Sequence, residues 1–171
     1  MTWGRKQDLH VSGVYSYGVD GGRGNLIGVQ PWMVPADYTS PHQLRGKLAA
    51  YLDLARGRGW LSERTIVVFP EYIGSWLVAS GERRSVYTAP TIARAMIPLI
   101  LGNVWAFARA WRVARAPDRL RAALFQMKGA AMAAAYDEVF SNLARAYRVT
   151  LVAGSIVLPA PRIEGGRIMA G

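Results

Sequence analysis

The 171-residue chain contains no cysteine, which excludes disulfides, thiolate metal ligands and catalysis through a sulfur nucleophile of its own. It has only two histidines, His10 and His42, and their wide separation predicts no metal site. Residues 1–13 are polar and lack the apolar centre of a secretory signal. These absences favour a reducing, cytoplasmic location and predict chemistry without a metal or any other cofactor.

Acidic residues are scarce, since 11 Asp and Glu stand against 21 Lys and Arg and give a formal net charge of +10. The excess is mostly arginine, with 18 Arg to 3 Lys, and the arginines are scattered from Arg5 to Arg167. A nucleic-acid site typically has a basic tract interleaved with exposed aromatic side chains. The scatter favours solvated helix faces instead, and we expect no nucleic-acid partner.

Long apolar runs are missing as well. The longest uncharged stretch, residues 95–108, has 14 residues and includes Pro98 and Gly102, whereas a bilayer span needs about 20 apolar residues. We therefore expect no membrane span and predict a buried or interfacial helix in this region. Its aromatic residues are at helical spacing, which favours a place in the core over contact with a membrane or a partner subunit. They are Trp105, Phe107 and Trp111.

The chain is 51% hydrophobic, enough to bury the core of one domain spanning residues 1–171. Residues 1–24 form an N-terminal extension, and the patterns that follow predict strand, helix, strand, helices and strand, which is an α/β order. The first predicted strand starts near Asn25, the second covers residues 65–69, and the third covers residues 149–158 and is expected to be buried. The first predicted helix begins at Pro41, is capped by Ser40 and ends at residues 57–59. The second covers about residues 88–114 and is broken near 98–102. The third covers residues 118–147 and is interrupted at Gly129.

The second predicted strand, residues 65–69, is rich in β-branched residues and apolar on both faces, which predicts a central strand covered by a layer on each side. Residues 72–87 after it are predicted as a loop, and residues 162–171 as a hairpin or a loose end.

Glu71 follows the second strand directly, after Phe69 and Pro70. A carboxylate at the end of a buried strand is poorly solvated, and desolvation raises its pKa toward the range in which it can act as a general base. The alternative is a structural carboxylate that caps a helix or pairs with an arginine. Tyr72 is a weaker candidate for contacting a substrate, because aromatic residues in such loops more often pack on the sheet.

Three segments together resemble the carbon-nitrogen hydrolase (nitrilase) superfamily. They are the strand with Gln30, the Phe69-Pro70-Glu71 segment, and residues 152–156 (Val-Ala-Gly-Ser-Ile) after a long helix; the resemblance covers about residues 25–158. It implies an α-β-β-α sandwich and a Glu-Lys-Cys triad that hydrolyses linear amides or nitriles through a thioester, without a cofactor. Glu71 matches the glutamate of the triad. Residues 86–114 are longer and more apolar than the usual connection of this family, and we interpret them as an apolar helical insertion. We expect the full-length form to be a homo-oligomer acting on a small molecule.

The lysine and cysteine of that family follow the Gly-Ser strand, and neither position is present before Gly171. Lys128 precedes the strand, so it does not match the lysine of the triad. Two interpretations stay open: the chain is the N-terminal part of a longer enzyme, or it is an inactive, nitrilase-like interaction or regulatory module. We favour the first, because half a sandwich would leave sheet faces and edges uncovered. This chain alone is predicted to be inactive.

Overall fold

The computed structural model describes residues 9–19 and 21–171. Within these ranges no helix or strand precedes Asn25, and the rest of the predicted N-terminal extension lies outside the described residues. A hydrogen bond connects the extension to the rest of the described chain: the His10 carbonyl oxygen accepts it from the Tyr51 hydroxyl at 3.1 Å. The same hydroxyl accepts a bond from the Trp32 amide at 2.9 Å.

The described chain is mixed α/β, as the sequence predicts. Its strands are β1 (Asn25–Gly28), β2 (Thr65–Val68), β3 (Thr150–Val152), β4 (Arg162–Glu164) and β5 (Arg167–Met169). Its α-helices are α1 (Pro41–Gly57), α2 (Arg84–Tyr87), α3 (Ile92–Gly102), α4 (Val104–Val113) and α5 (Arg119–Tyr147), and two short 3-10 helices cover Pro35–Tyr38 and Ser75–Ala79.

The first three strands form a parallel sheet in the order β1-β2-β3, so β2 is central as predicted. Ile27, Val67 and Leu151 lie side by side in the register and face the helices α1 and α5. Val67 is fully buried there. Parallel strands need crossover connections, and α1 and α5 supply the covering layer on this face.

The opposite face of the sheet is exposed. Leu26, Ile66 and Val152 are 69%, 41% and 48% exposed, although all three are large and apolar. The expectation that β2 is covered on both sides is therefore wrong for the described chain, and the expectation that the third strand is buried is wrong as well. Alternation along β2 separates the two faces, because successive strand side chains point to opposite sides of a sheet.

Helix α1 begins where the sequence predicts. The Ser40 hydroxyl oxygen accepts a hydrogen bond from the Gln43 amide at 3.2 Å, and Pro41 occupies the first turn. Helix α5 is continuous through Gly129, so the predicted interruption is wrong. A Cβ at Gly129 would lie 2.8 Å from Pro159, which shows that the glycine permits close packing and does not break the helix.

Two further segments differ from the sequence predictions. Residues 72–87 are not a plain loop, because they include the second 3-10 helix and α2. The third strand stops at Val152, since the chain beyond it leaves the ladder. The segment 162–171 contains the antiparallel hairpin β4-β5, with Ile163 opposite Ile168, which confirms the first of its two predicted alternatives.

Helices α3 and α4 meet at the predicted break, and Asn103 separates them. In the described part of the chain no single helix has the length and apolar character to cross a bilayer; α3 and α4 reach those values only as a pair, bent by 106°. Trp105 is 85% exposed and Trp111 is 37% exposed, so the prediction that this aromatic cluster lies in the core is wrong for both.

Candidate functional site

The candidate site lies at the carboxyl edge of the parallel sheet. Because the three strands run in the same direction, Gln30, Glu71 and Ser155 follow their strands at the same edge. Open α/β sheets bind ligands at this edge, where loops from neighbouring strands converge. The structure thus brings together the three segments that carry the family resemblance.

The turn that carries Glu71 is bonded to the segment after β3. The Tyr72 amide donates to the Ser155 hydroxyl oxygen at 2.7 Å, and the Gly74 amide donates to the Ser155 carbonyl oxygen at 3.0 Å. Just before the turn, the Phe69 amide donates to the Val152 carbonyl oxygen at 2.9 Å. Ser155 therefore has a positioning role that the sequence did not reveal, since it is distant from Glu71 along the chain.

Gly154 permits this close approach. Its φ is +73°, and a Cβ built on it would lie only 2.1 Å from the Pro70 carbonyl oxygen. A side chain is excluded here by both the backbone conformation and the neighbouring strand end. The glycine of the Gly-Ser pair is thus required for the geometry of the Glu71 turn.

Tyr72 has a left-handed backbone with φ of 61°, which is uncommon for a bulky residue. Such a residue costs on the order of 1–3 kcal/mol and is held in place by the surrounding structure. Here Ser155 on one side and the second 3-10 helix on the other fix the turn. Strained residues of this kind are concentrated at functional sites. Tyr72 itself is 61% exposed.

The Glu71 side chain is exposed to solvent. The expectation of a poorly solvated carboxylate that faces inward is therefore wrong for the described chain. The backbone is fixed at the sheet edge by the hydrogen bond from the Tyr72 amide to Ser155, whereas the carboxylate is in contact with solvent.

An apolar cavity of about 240 Å³ lies near this turn, between the two 3-10 helices and the start of α3. Trp76 and Tyr87 line it, together with Tyr38, whose hydroxyl donates to the Ile73 carbonyl oxygen at 3.0 Å. Glu71 and Tyr72 are not among its lining residues. The structure therefore places Trp76 and Tyr87 at an apolar cavity and leaves Tyr72 outside it.

Burial of Tyr38 predicts a loss of stability at alkaline pH. Burial, assisted by the charge of Asp37, raises the pKa of Tyr38 above its ordinary value of 10.0. Above pH 10 the unfolded chain releases this proton while the folded chain keeps it, so the free energy of unfolding falls by up to about 1.4 kcal/mol per pH unit. We expect Tyr38→Phe to reduce that slope in urea unfolding measured from neutral to alkaline pH.

The matched control for this experiment is Tyr17→Phe, because Tyr17 is 91% exposed. It should leave the pH dependence unchanged. At neutral pH the Tyr38→Phe variant should lose about 1 kcal/mol with its hydrogen bond to the Ile73 carbonyl oxygen. A variant with the wild-type alkaline slope would contradict the assignment.

A polar cluster that the sequence did not predict connects Lys128 of α5 with Glu82 and Asn103. Lys128 forms an ion pair with Glu82, and their side chains are only 18% and 6% exposed. Asn103 donates from Nδ2 to the same Glu82 oxygen at 2.9 Å and to the Leu99 carbonyl oxygen at 2.9 Å. Lys128 is therefore structural here, consistent with its exclusion from the lysine role of the resemblance.

We expect Lys128→Met to destabilise the fold by about 3 kcal/mol, because it leaves the Glu82 charge buried with only Asn103 as a side-chain partner. The double variant with Glu82→Gln should recover most of this loss. Chemical unfolding of the wild type, Lys128→Met and the double variant measures both effects. Arg121→Met is the control: its ion pair with Asp118 is exposed, so the loss should stay below about 0.5 kcal/mol. Equal losses in both single variants would contradict this expectation.

In the described residues no three acidic or histidine side chains are grouped so that they could hold a metal ion. Comparison of the chain with protein-family models, with curated proteins and with solved structures found no match.

Proposed function

We propose that this chain supplies the glutamate-bearing part of a carbon-nitrogen hydrolase that acts on linear amides or nitriles. The observation that carries the proposal is the fixed turn at the carboxyl edge, where Glu71 follows the central strand and is anchored to the Gly154-Ser155 segment. The α-β-β-α sandwich is part of the proposal. A second sheet would cover the exposed face of Leu26, Ile66 and Val152 and would desolvate the carboxylate.

In this mechanism Glu71 accepts the proton of a cysteine thiol as the sulfur attacks the amide or nitrile carbon. A lysine ammonium stabilises the negative charge that develops, and Glu71 passes its proton to the leaving ammonia or amine, which yields a thioester. With a nitrile the first product is a thioimidate, and one water converts it to the thioester with release of ammonia. A further water then releases the acid from the thioester. The chain contains no cysteine, and Lys128 is engaged with Glu82. The proposal therefore requires a lysine and a cysteine that these 171 residues do not supply.

Ammonia release from aliphatic amides and nitriles tests the proposal. The 171-residue chain should release none, whereas the product of the gene read beyond Gly171 should be active and should contain a lysine followed by a cysteine. A continuation without these residues, or activity that survives replacement of that cysteine by alanine, would refute the hydrolase.

The exposure of Glu71 favours a second candidate, an inactive module that binds a partner through its uncovered surfaces. This candidate predicts that the 171-residue chain forms a single defined oligomer in size-exclusion chromatography. The hydrolase fragment predicts aggregation, because its apolar sheet face lacks a covering layer.

A further inference from the structure

The break between α3 and α4 presents a group of large apolar side chains to solvent, which we call the α3–α4 vertex. Its four members are Ile97, Leu101, Val104 and Trp105, and their exposed fractions are 59%, 68%, 48% and 85%. Ile97 and Leu101 lie one turn apart on α3, while Val104 and Trp105 begin α4. Contiguous exposed apolar groups of this kind mark sites of interaction with a protein or a membrane.

The segment around the vertex is exclusively basic. Residues 83–117 contain six arginines and no aspartate or glutamate. Arg94 lies three residues before Ile97, and Arg109 and Arg112 lie four and seven residues after Trp105, so these arginines share helix faces with the vertex. All three are exposed, and none forms an ion pair with a carboxylate of the described chain.

Contacts on the inner sides of α3 and α4 hold the vertex in place. Asn103, the residue at the bend, is bonded to Glu82 and to the Leu99 carbonyl oxygen, and Glu82 is paired with Lys128 of α5. Leu99 and Ala110 are buried on the inner sides of α3 and α4. Because the inner sides are packed, the outward position of the vertex is fixed before any partner binds, which reduces the entropy lost on binding.

We propose that the α3–α4 vertex docks on the surface of an anionic lipid bilayer. The apolar side chains enter the boundary between headgroups and acyl chains, where a tryptophan is well accommodated. The arginines farther along each helix contact lipid phosphates, and their aliphatic stems lie along the apolar boundary. This inference is independent of the proposed hydrolase function.

Charge and shape favour a bilayer over the other occupants. A second copy of the chain docked through the same surface would place the arginines of one copy against those of the other, which is repulsive. A nucleic acid would neutralise the arginines but would leave the apolar vertex without a partner. An anionic bilayer surface accommodates the apolar side chains of the vertex and also neutralises the arginines. The 106° bend between α3 and α4 allows the vertex to enter the bilayer surface while the rest of the two helices lies outside.

Co-sedimentation of the 171-residue chain with vesicles of phosphatidylcholine, with and without phosphatidylglycerol, tests the proposal. We expect binding only to the anionic vesicles, weakening as salt is raised. Arg109→Glu with Arg112→Glu should weaken the partition by about 30-fold or more, because each basic residue near an anionic surface contributes about fivefold. Trp105→Ser should weaken it by about tenfold through lost apolar burial.

The matched control is the double variant Arg23→Glu with Arg167→Glu, which changes the net charge equally at exposed positions outside α3 and α4. It should bind as the wild type does. Equal weakening in the two double variants would overturn the proposal in favour of unspecific attraction of a basic protein. Equal binding to neutral vesicles, or chain that stays with the vesicles after alkaline carbonate extraction, would also overturn it.

Discussion

Replacing Gly154 by alanine should destabilise the fold by about 2–5 kcal/mol, the sum of a left-handed backbone penalty and the strain of overpacking. The new Cβ would lie 2.1 Å from the Pro70 carbonyl oxygen, so one of the two backbone segments must move. Both segments hold the candidate site, because Pro70 precedes Glu71 and Gly154 precedes Ser155. Chemical unfolding of the variant measures the loss.

Gly28→Ala is the matched control, since Gly28 lies at the end of the neighbouring strand and a Cβ there would have no atom within 4 Å. Its effect on the free energy of unfolding should stay within about 0.5 kcal/mol. Similar effects at the two positions would show that the contact between Pro70 and Gly154 does not constrain the fold.

Replacing Glu71 by glutamine should lower the kcat of a longer, active form by about 100- to 10,000-fold, because an amide of the same shape cannot accept the proton of the nucleophile. In the 171-residue chain the same substitution should leave the melting temperature unchanged, since the carboxylate is exposed there. Ammonia release at saturating substrate gives kcat, and a thermal melt gives the stability.

Glu63→Gln is the control for this experiment. Glu63 is 81% exposed and precedes β2 at the opposite end of the strand, so its replacement should leave kcat unchanged. An active form that tolerates Glu71→Gln would eliminate Glu71 as the general base. In that case the strained turn at Tyr72 would need another explanation.

The local pattern of the sequence was sufficient for the start of α1 and for the central place of β2. Ser40 and Pro41 form a cap from neighbouring residues, and the β-branched run from Thr65 predicts an inner strand. The break between α3 and α4 follows equally from local residues. The interruption expected at Gly129 was wrong because a glycine that ends a helix and one that permits close packing look the same in a sequence.

The solvent exposure of Glu71, the hydrogen bond from Tyr72 to Ser155 and the pairing of Glu82 with Lys128 could not be predicted from the sequence. Each depends on residues distant along the chain. The exposed aromatic residues of α4 were misassigned for a related reason: helical spacing shows that residues share a face but does not show whether another element covers it.

The sequence by itself determined the absence of a sulfur nucleophile, the basic charge, the α/β order of the elements and the position of a carboxylate directly after the central strand. The tertiary structure alone decided which apolar faces are covered and which strand ends meet at the sheet edge. The physical reason is that composition and periodicity are properties of neighbouring residues, whereas burial and pairing depend on contacts between segments far apart in the chain.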